Sequence, residues 1–206
     1  LPNTFTDCHV QGPSTRNFAY GSAAAWWPGR QEDSRTQAER DYGNLIEEGF
    51  NPAGIALGLI IAGYQPSTGR GELIGALLDM MAPVPLNVGT DSAYVISILN
   101  KLRNIEADPD RYRRPWQLAT NGDIIEMVQQ VLRRRLFNST DWTKIKAHED
   151  IDDTQITPEL RRQRAENDRA DKNAEGIMRI KGGFTRMYLY HAAKRQKKYR
   201  QMVMQL

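Results

Sequence analysis

The chain has 206 residues, with 28 Lys or Arg against 25 Asp or Glu and a formal net charge of +3; this length suits one domain with an appendage and leaves little room for two large ones. A single cysteine excludes an internal disulfide framework and a cysteine-ligated zinc site, and no apolar stretch reaches the roughly 18 to 20 residues of a membrane span. No signal peptide is visible, so the expectation is an intracellular, soluble domain with no membrane partner.

In chain order, residues 4–10 and 18–27 read as strands, the second bounded by Pro28-Gly29. The opening at Leu1, directly ahead of Thr4-Phe5-Thr6-Asp7, reads as a piece of a longer polypeptide. Residues 31–50 hold six acidic and two basic residues, with weak helical signals around Leu45 and Ile46, and read as a surface insertion. The apolar run Ile55 to Ala62 has strand length and is closed by Gly63 and Pro66. Ser67 or Thr68 then caps a helix whose stripe of Leu73, Ala76, Leu77, Met80 and Met81 stops at Pro83. Val84, Leu86 and Val88 alternate as a strand, Gly89 to Ser92 turn, and Val95, Ile96, Leu99 and Leu102 mark the next helix.

Asp108-Pro109-Asp110 opens a loop that closes on Arg111-Tyr112-Arg113-Arg114-Pro115-Trp116. After Asn121-Gly122-Asp123, a third helix turns Ile124, Met127, Val128 and Val131 inward and carries Arg133, Arg134 and Arg135 in its last turn, where cations suit the helix dipole. Trp142 to His148 is a short strand, 149–166 a loop, Asn167 to Met178 a helix and Tyr188 to Met204 another. The order β-β-β-α-β-α-α-β-α, without an internal repeat, predicts an α/β domain with a mixed five-stranded sheet and helices on both faces. That domain is expected over 1–180, with a basic helical extension over 181–206. Residues 176–206 carry eight Lys or Arg and no acid, which leaves 20 basic and 25 acidic residues in 1–175. Such a tail reads either as an arm for a polyanion or as a solvated segment.

Four acids border or interrupt apolar runs: Asp7, Glu72, Asp91 and Asp171. A strand that ends in Asp91 delivers its carboxylate to the carboxyl edge of the sheet, where open α/β sheets hold ligands. Glu72 shares a helical face with Ala76 and Met80, and Asp171 with Ala174 and Met178, so both point toward the sheet, while small Ala170 and Ala174 let the last helix approach closely. Singly, each has a plainer reading: Asp7 as a turn residue, Asp91 as a helix cap, Asp171 as a solvated acid paired with Arg169 or Lys172. Jointly they would repel by about 4 kcal/mol per neighbour pair at about 4 Å and an effective dielectric near 20, a cost that calls for a cation. Hard oxygen ligands favour Mg²⁺ or Mn²⁺ over zinc. A pair of such ions can activate water and stabilise the leaving oxygen in phosphodiester hydrolysis. His148 opens a polar loop at a strand end, and reads either as a proton carrier near neutral pKa or as an idle surface histidine.

These motifs together resemble type 1 ribonuclease H, which cuts the RNA strand of an RNA/DNA hybrid. The similarity rests on Asp7, Glu72 and Asp91 in their order, on Asn121-Gly122-Asp123-Ile124 as a helix entry, and on Lys144-Ile145-Lys146-Ala147-His148 followed by Asn167-Asp168-Arg169-Ala170-Asp171, over residues 3–178. The resemblance implies a ribonuclease H-like fold, two bound Mg²⁺ ions (or Mn²⁺) on Asp7, Glu72, Asp91 and Asp171, and His148 as auxiliary proton carrier. It also implies an RNA/DNA hybrid as partner and a place in a eukaryotic retroelement polyprotein beside a reverse transcriptase domain. Where the family carries Gly-Ser after the first Asp, this chain has Cys8-His9, whose bulk is expected to narrow the approach to RNA, with His9 as a further candidate ligand. Thr68-Gly69-Arg70 replaces the Asn that precedes the helix Glu. The nucleic-acid contacts expected on this basis are Cys8, Thr68, Arg70, the basic Trp-containing segment with Arg113, Arg114 and Trp116, and Lys194, Arg195, Lys197 and Lys198 of the tail. A non-catalytic nucleic-acid-binding remnant and a nuclease acting on DNA are the competing readings.

Overall fold

The computed structural model describes residues 1–11, 20–30, 47–51, 54–61, 67–82, 85–109, 115–135, 139–146 and 156–203. In chain order these form β1 Thr4–Gln11, β2 Tyr20–Pro28, β3 Glu47–Asn51, β4 Gly54–Ile61, α1 Thr68–Asp79, β5 Leu86–Thr90, α2 Ala93–Ala107, a 3₁₀ turn Trp116–Leu118, α3 Gly122–Arg135, β6 Thr140–Lys144 and α4 Pro158–Val203. The predicted five-stranded mixed sheet is present in the order β4-β2-β1-β5-β6: β1, β2 and β4 run antiparallel, and β5 lies parallel to both β1 and β6. A sixth strand, β3, extends the edge by pairing with β4 in a register that sets Asn51 opposite Gly54. It begins in the stretch read as a surface insertion and ends one residue beyond it, because the open hydrogen-bonding edge of β4 recruits a segment with weak local preference.

Alternation along the strands separates two helical layers. From β1, Thr4, Thr6 and Cys8 face α1, where the Thr4 hydroxyl donates to fully buried Asp79 and where Gly75 and Gly71 leave room for Thr6 and Cys8. On this side Ala23, Ala25, Trp27, Ile55 and Leu57 meet Leu73, Ala76, Val95, Leu99, Ile125 and Leu132 in the main core. On the opposite face Phe5, Trp26 and Ala56 pack on Ile145 and Ala170, and Ala24 packs on Ala174 and Ile177. Ala170 and Ala174 are fully buried, so the close approach expected of that helix occurs. Gly58 lies where any Cβ would overlap Ile177.

Helix ends follow local chemistry. Ser67 caps α1 by accepting from the Arg70 amide at 3.2 Å, and Ser92 caps α2 by accepting from the Val95 amide at 3.3 Å. Three expectations are corrected. The strand expected over Trp142 to His148 is Thr140–Lys144, with Ile145 and Lys146 beyond its end and residues 147 and 148 outside the described residues. In α3, Met127 is half exposed, and the inward positions are Ile124, Ile125, Val128, Gln129 and Leu132. Residues 149–155 of the expected 149–166 loop lie outside the described residues, and from Pro158 on that loop and the two separate helices after it are replaced by one helix of 46 residues, Pro158–Val203. Its start is built from Thr157, which accepts from the Leu160 amide, Pro158 at the first helical position, and an Arg162–Glu159 pair at 3.0 Å. The charged residues from Glu159 to Glu166 are thus carried on a helix. Gly182 and Gly183 lie within this helix although each costs about 1 kcal/mol relative to Ala there. No helix among the described residues is long and apolar enough to cross a membrane.

Candidate metal centre

Each of the four acids is delivered by a different element. Asp7 comes from the middle of β1, Glu72 from the first turns of α1, Asp91 from the residue after β5, and Asp171 from α4. Asp7 and Glu72 are buried, while Asp91 and Asp171 are half-buried. The face assignments hold: Ala76 and Met80 below Glu72 are buried, as are Ala174 and Met178 below Asp171.

The backbone holds Asp7 in place, since the Cys8 amide donates to its Oδ1 at 2.7 Å and Asn167 Nδ2 donates to Oδ2 at 3.3 Å. Burial, then the charge of Asp91, and further Asp171, push Asp7 up to about 7 against the lowering effect of those two donors. Burial, then Asp7 and Asp91, push Glu72 up to about 9, with Asp171 adding to the rise. The charges of Asp91 and Asp171 therefore reach both buried carboxyls, as groups gathered around one site do. Asn167 was quoted only as part of a motif; its position four residues before Asp171 was the signal that both share a helical face.

Three donors come closest. A carboxylate oxygen of Asp7, Sγ of Cys8 and a carboxylate oxygen of Glu72 lie within 4.8 Å of one another. Glu72 Oε2 and Asn167 Oδ1 are buried without a hydrogen-bond partner among the described residues. Buried oxygens left in this way cost about 1 to 3 kcal/mol each or more, and a cation is the group that satisfies carboxylates crowded to such a degree. The residues present therefore fit a hard divalent ion.

The remaining expected residues divide. Cys8 turns its thiol beneath α1, with Sγ 3.4 Å from the Thr68 carbonyl and 3.5 Å from Glu72 Oε1. Its bulk fills the space against Gly71, so the expected narrowing of an outer approach does not come from this side chain. Burial, then Glu72, push the thiol up, so it is protonated at neutral pH. His9 does not join the three-donor group. Arg70 makes a two-pronged pair with Asp123 at 2.6 and 2.8 Å and thereby ties α1 to the start of α3. Asn121, at φ 56°, completes that corner by donating to the Tyr94 hydroxyl. Trp116 packs partly against the core, donates from Nε1 to Gln129 at 2.8 Å and lies under Lys101. Thr68, Lys194 and Arg195 are exposed. Lys197 and Lys198 occupy helical positions in α4, and Arg113, Arg114 and His148 lie outside the described residues.

No protein-family model matches this sequence, and no curated protein matches it. Solved structures do. The prototype foamy virus (PFV) RNase H domain, known from a solution structure, aligns at 12% identity and a TM-score of 0.51 over 86% of this chain and 93% of that one. The crystal structure of the prototype foamy virus protease-reverse transcriptase aligns at 13% identity and a TM-score of 0.49 over 85% of this chain. This chain spans 21% of that larger one. The likeness at this identity is one of fold: the chain has a ribonuclease H-like fold of the kind found in a retroviral enzyme.

Proposed function

We propose that this chain is a divalent-metal-dependent endonuclease that hydrolyses the RNA strand of RNA/DNA hybrids, a type 1 ribonuclease H domain from a eukaryotic retroelement polyprotein. The observation that carries this reading is that Asp7 and Glu72 are buried beside each other and pushed up to about 7 and about 9, with the charges of Asp91 and Asp171 contributing to both rises. A fold would not keep such repulsion without a use for it. Asp7, Glu72, Asp91 and Asp171 would hold two Mg²⁺ ions, or Mn²⁺, which when bound would supply activation of water and stabilisation of the leaving oxygen.

The chain's own residues do the rest. Asn167 and the Cys8 amide fix the orientation of Asp7. His148 carries a proton at the leaving oxygen or assists product release. Thr68 at the start of α1, Arg113, Arg114 and, in the 181–206 extension outside the 1–180 catalytic domain, Lys194, Arg195, Lys197 and Lys198 would supply the phosphate contacts. A reverse transcriptase domain in the same polypeptide is the natural partner of such an activity.

The test is a gel assay of the purified chain on matched RNA/DNA, RNA/RNA and DNA/DNA duplexes with Mg²⁺, Mn²⁺ or chelator, beside Asp91→Asn. Cleavage confined to the RNA of the hybrid, dependent on the cation and lost in a folded Asp91→Asn chain, is expected. Hybrid binding without cleavage under any cation would replace this reading by the non-catalytic one, and cleavage of DNA duplexes alone would replace the substrate.

A further inference from the structure

The candidate centre contains one sulfur among its oxygens. Cys8 Sγ stands 3.5 Å from Glu72 Oε1, and a carboxylate oxygen of Asp7 completes a group whose donors lie within 4.8 Å of one another. A tetrahedral zinc ion with bonds of about 2.3 Å to sulfur and about 2.1 Å to oxygen has a sulfur–oxygen edge of about 3.6 Å. Cys8 and Glu72 thus already stand at the spacing of one such edge. The exclusion of a cysteine-ligated zinc site drawn from the single cysteine holds for sites built of several sulfurs and is corrected here, where carboxylates stand beside the one sulfur.

A second observation points to a ligand independently. Glu72 is 6% exposed and its Oε2 has no hydrogen-bond partner among the described residues, so a buried donor oxygen is left over beside the sulfur. The sulfur is also held where it is. A Cβ at Gly71 would come within 2.7 Å of Cys8 Cβ and 2.8 Å of Sγ, which means the first turn of α1 closes over the thiol and orients it toward Glu72.

We propose that Asp7, Cys8 and Glu72 form a binding site for a thiophilic divalent ion, Zn²⁺ or Cd²⁺, with Cys8 as its sulfur ligand. On binding, the S–H bond breaks, the proton passes to water, and a sulfur–metal bond forms with no change of oxidation state. Thiolate selects such ions over Mg²⁺, which keeps to oxygen. Asp7 and Glu72 are shared with the hard-ion site proposed above, so a thiophilic ion competes for them and acts as an inhibitor of the nuclease. The inhibition rests on that nuclease reading; the binding does not.

The experiment is a Cd²⁺ titration of the full chain, followed by the ultraviolet absorption of the thiolate–cadmium bond. Cys8 is the chain's one cysteine, so the band reports on this residue alone. Wild type is expected to saturate at one Cd²⁺ per chain, and Cys8→Ser to show no band. Glu72→Gln keeps the thiol and should weaken Cd²⁺ by more than the about 10- to 100-fold typical of losing an outer-shell partner. Circular dichroism establishes that each protein is folded, and Asp7→Asn serves if Glu72→Gln does not fold. Absence of the band in wild type overturns the proposal, and so does a band of unchanged affinity in the folded carboxylate variant, which would report an isolated thiol. Mg²⁺-dependent cleavage of the hybrid is measured separately, and its failure would count against the nuclease reading while leaving the Cd²⁺ result to stand.

Discussion

Raising the pH without a divalent cation strips protons from carboxyl groups that the fold keeps crowded, and stability should fall. Asp7 rises from 3.8 to about 7 and Glu72 from 4.5 to about 9 in the folded chain. Both folded values exceed the unfolded ones, so over this range the folded chain keeps protons that the unfolded chain has lost. The stability is fully present below about pH 4 and drains away as the pH rises through about 7 for Asp7 and about 9 for Glu72. At about 1.4 kcal/mol per pKa unit, the two shifts taken singly amount to about 4 and about 6 kcal/mol. Because each group raises the other, part of the cost is shared, and the pair loses on the order of 5 kcal/mol. For a chain of this size that is on the order of 10 to 20 °C in Tm. A bound cation compensates the ionised carboxylates and removes most of the loss. The assay is thermal unfolding from pH 5 to 9 in chelator and in millimolar Mg²⁺ or Mn²⁺, because groups outside the centre titrate alike in both. The gap between the two curves should widen steadily with pH. Parallel curves, or no shift by either cation, would refute the assignment of these acids to a metal centre.

Asp79 provides an internal contrast, since burial alone pushes it well above its ordinary range while the Thr4 hydroxyl donates to it. Its folded value is also raised, so its stability too is lost as pH rises, and Asp79→Asn should be more stable than wild type at pH 8 in saturating Mg²⁺, with the gap closing below about pH 4 in denaturant unfolding. Gly75→Ala would drive a methyl group onto the Thr6 hydroxyl, which donates to the Ala24 carbonyl at 3.2 Å; a loss of about 1 to 3 kcal/mol in denaturant unfolding is expected, and a neutral result would mean that α1 does not sit this close to β1. His148→Ala should slow single-turnover cleavage by about 10²- to 10⁴-fold, less where water substitutes, with hybrid binding unchanged; weaker binding at an unaltered rate would remove the proton-carrier role. Replacing Lys194, Arg195, Lys197 and Lys198 together by Gln should flatten the slope of log affinity against log salt by about two to four units, at about 0.9 per phosphate contact, without changing which strand is cut, and an unchanged slope would make the extension a structural rather than a nucleic-acid-binding element.

The sequence by itself determined the elements whose cause is local. An apolar run gave β4, alternation gave β5, the Pro28-Gly29 boundary closed β2, and Ser67 was one of two candidate caps for α1, because side-chain spacing and capping act within a few residues of the backbone they shape. It also singled out the four acids, since a carboxylate set at the edge of an apolar run is anomalous wherever the chain goes. Only the tertiary structure decided the rest. The edge strand β3 exists because β4 offers it hydrogen bonds, and residues 158–166 are helical although they read as part of a loop. Cys8 turns under α1 rather than outward, Arg70 is taken by Asp123, and Asn167 reaches Asp7 from 160 residues away. The height of the carboxyl shifts at Asp7 and Glu72 likewise comes from burial and from charges on other elements. Such properties depend on which distant segments meet and on how much water they exclude, and no local pattern of residues carries that information.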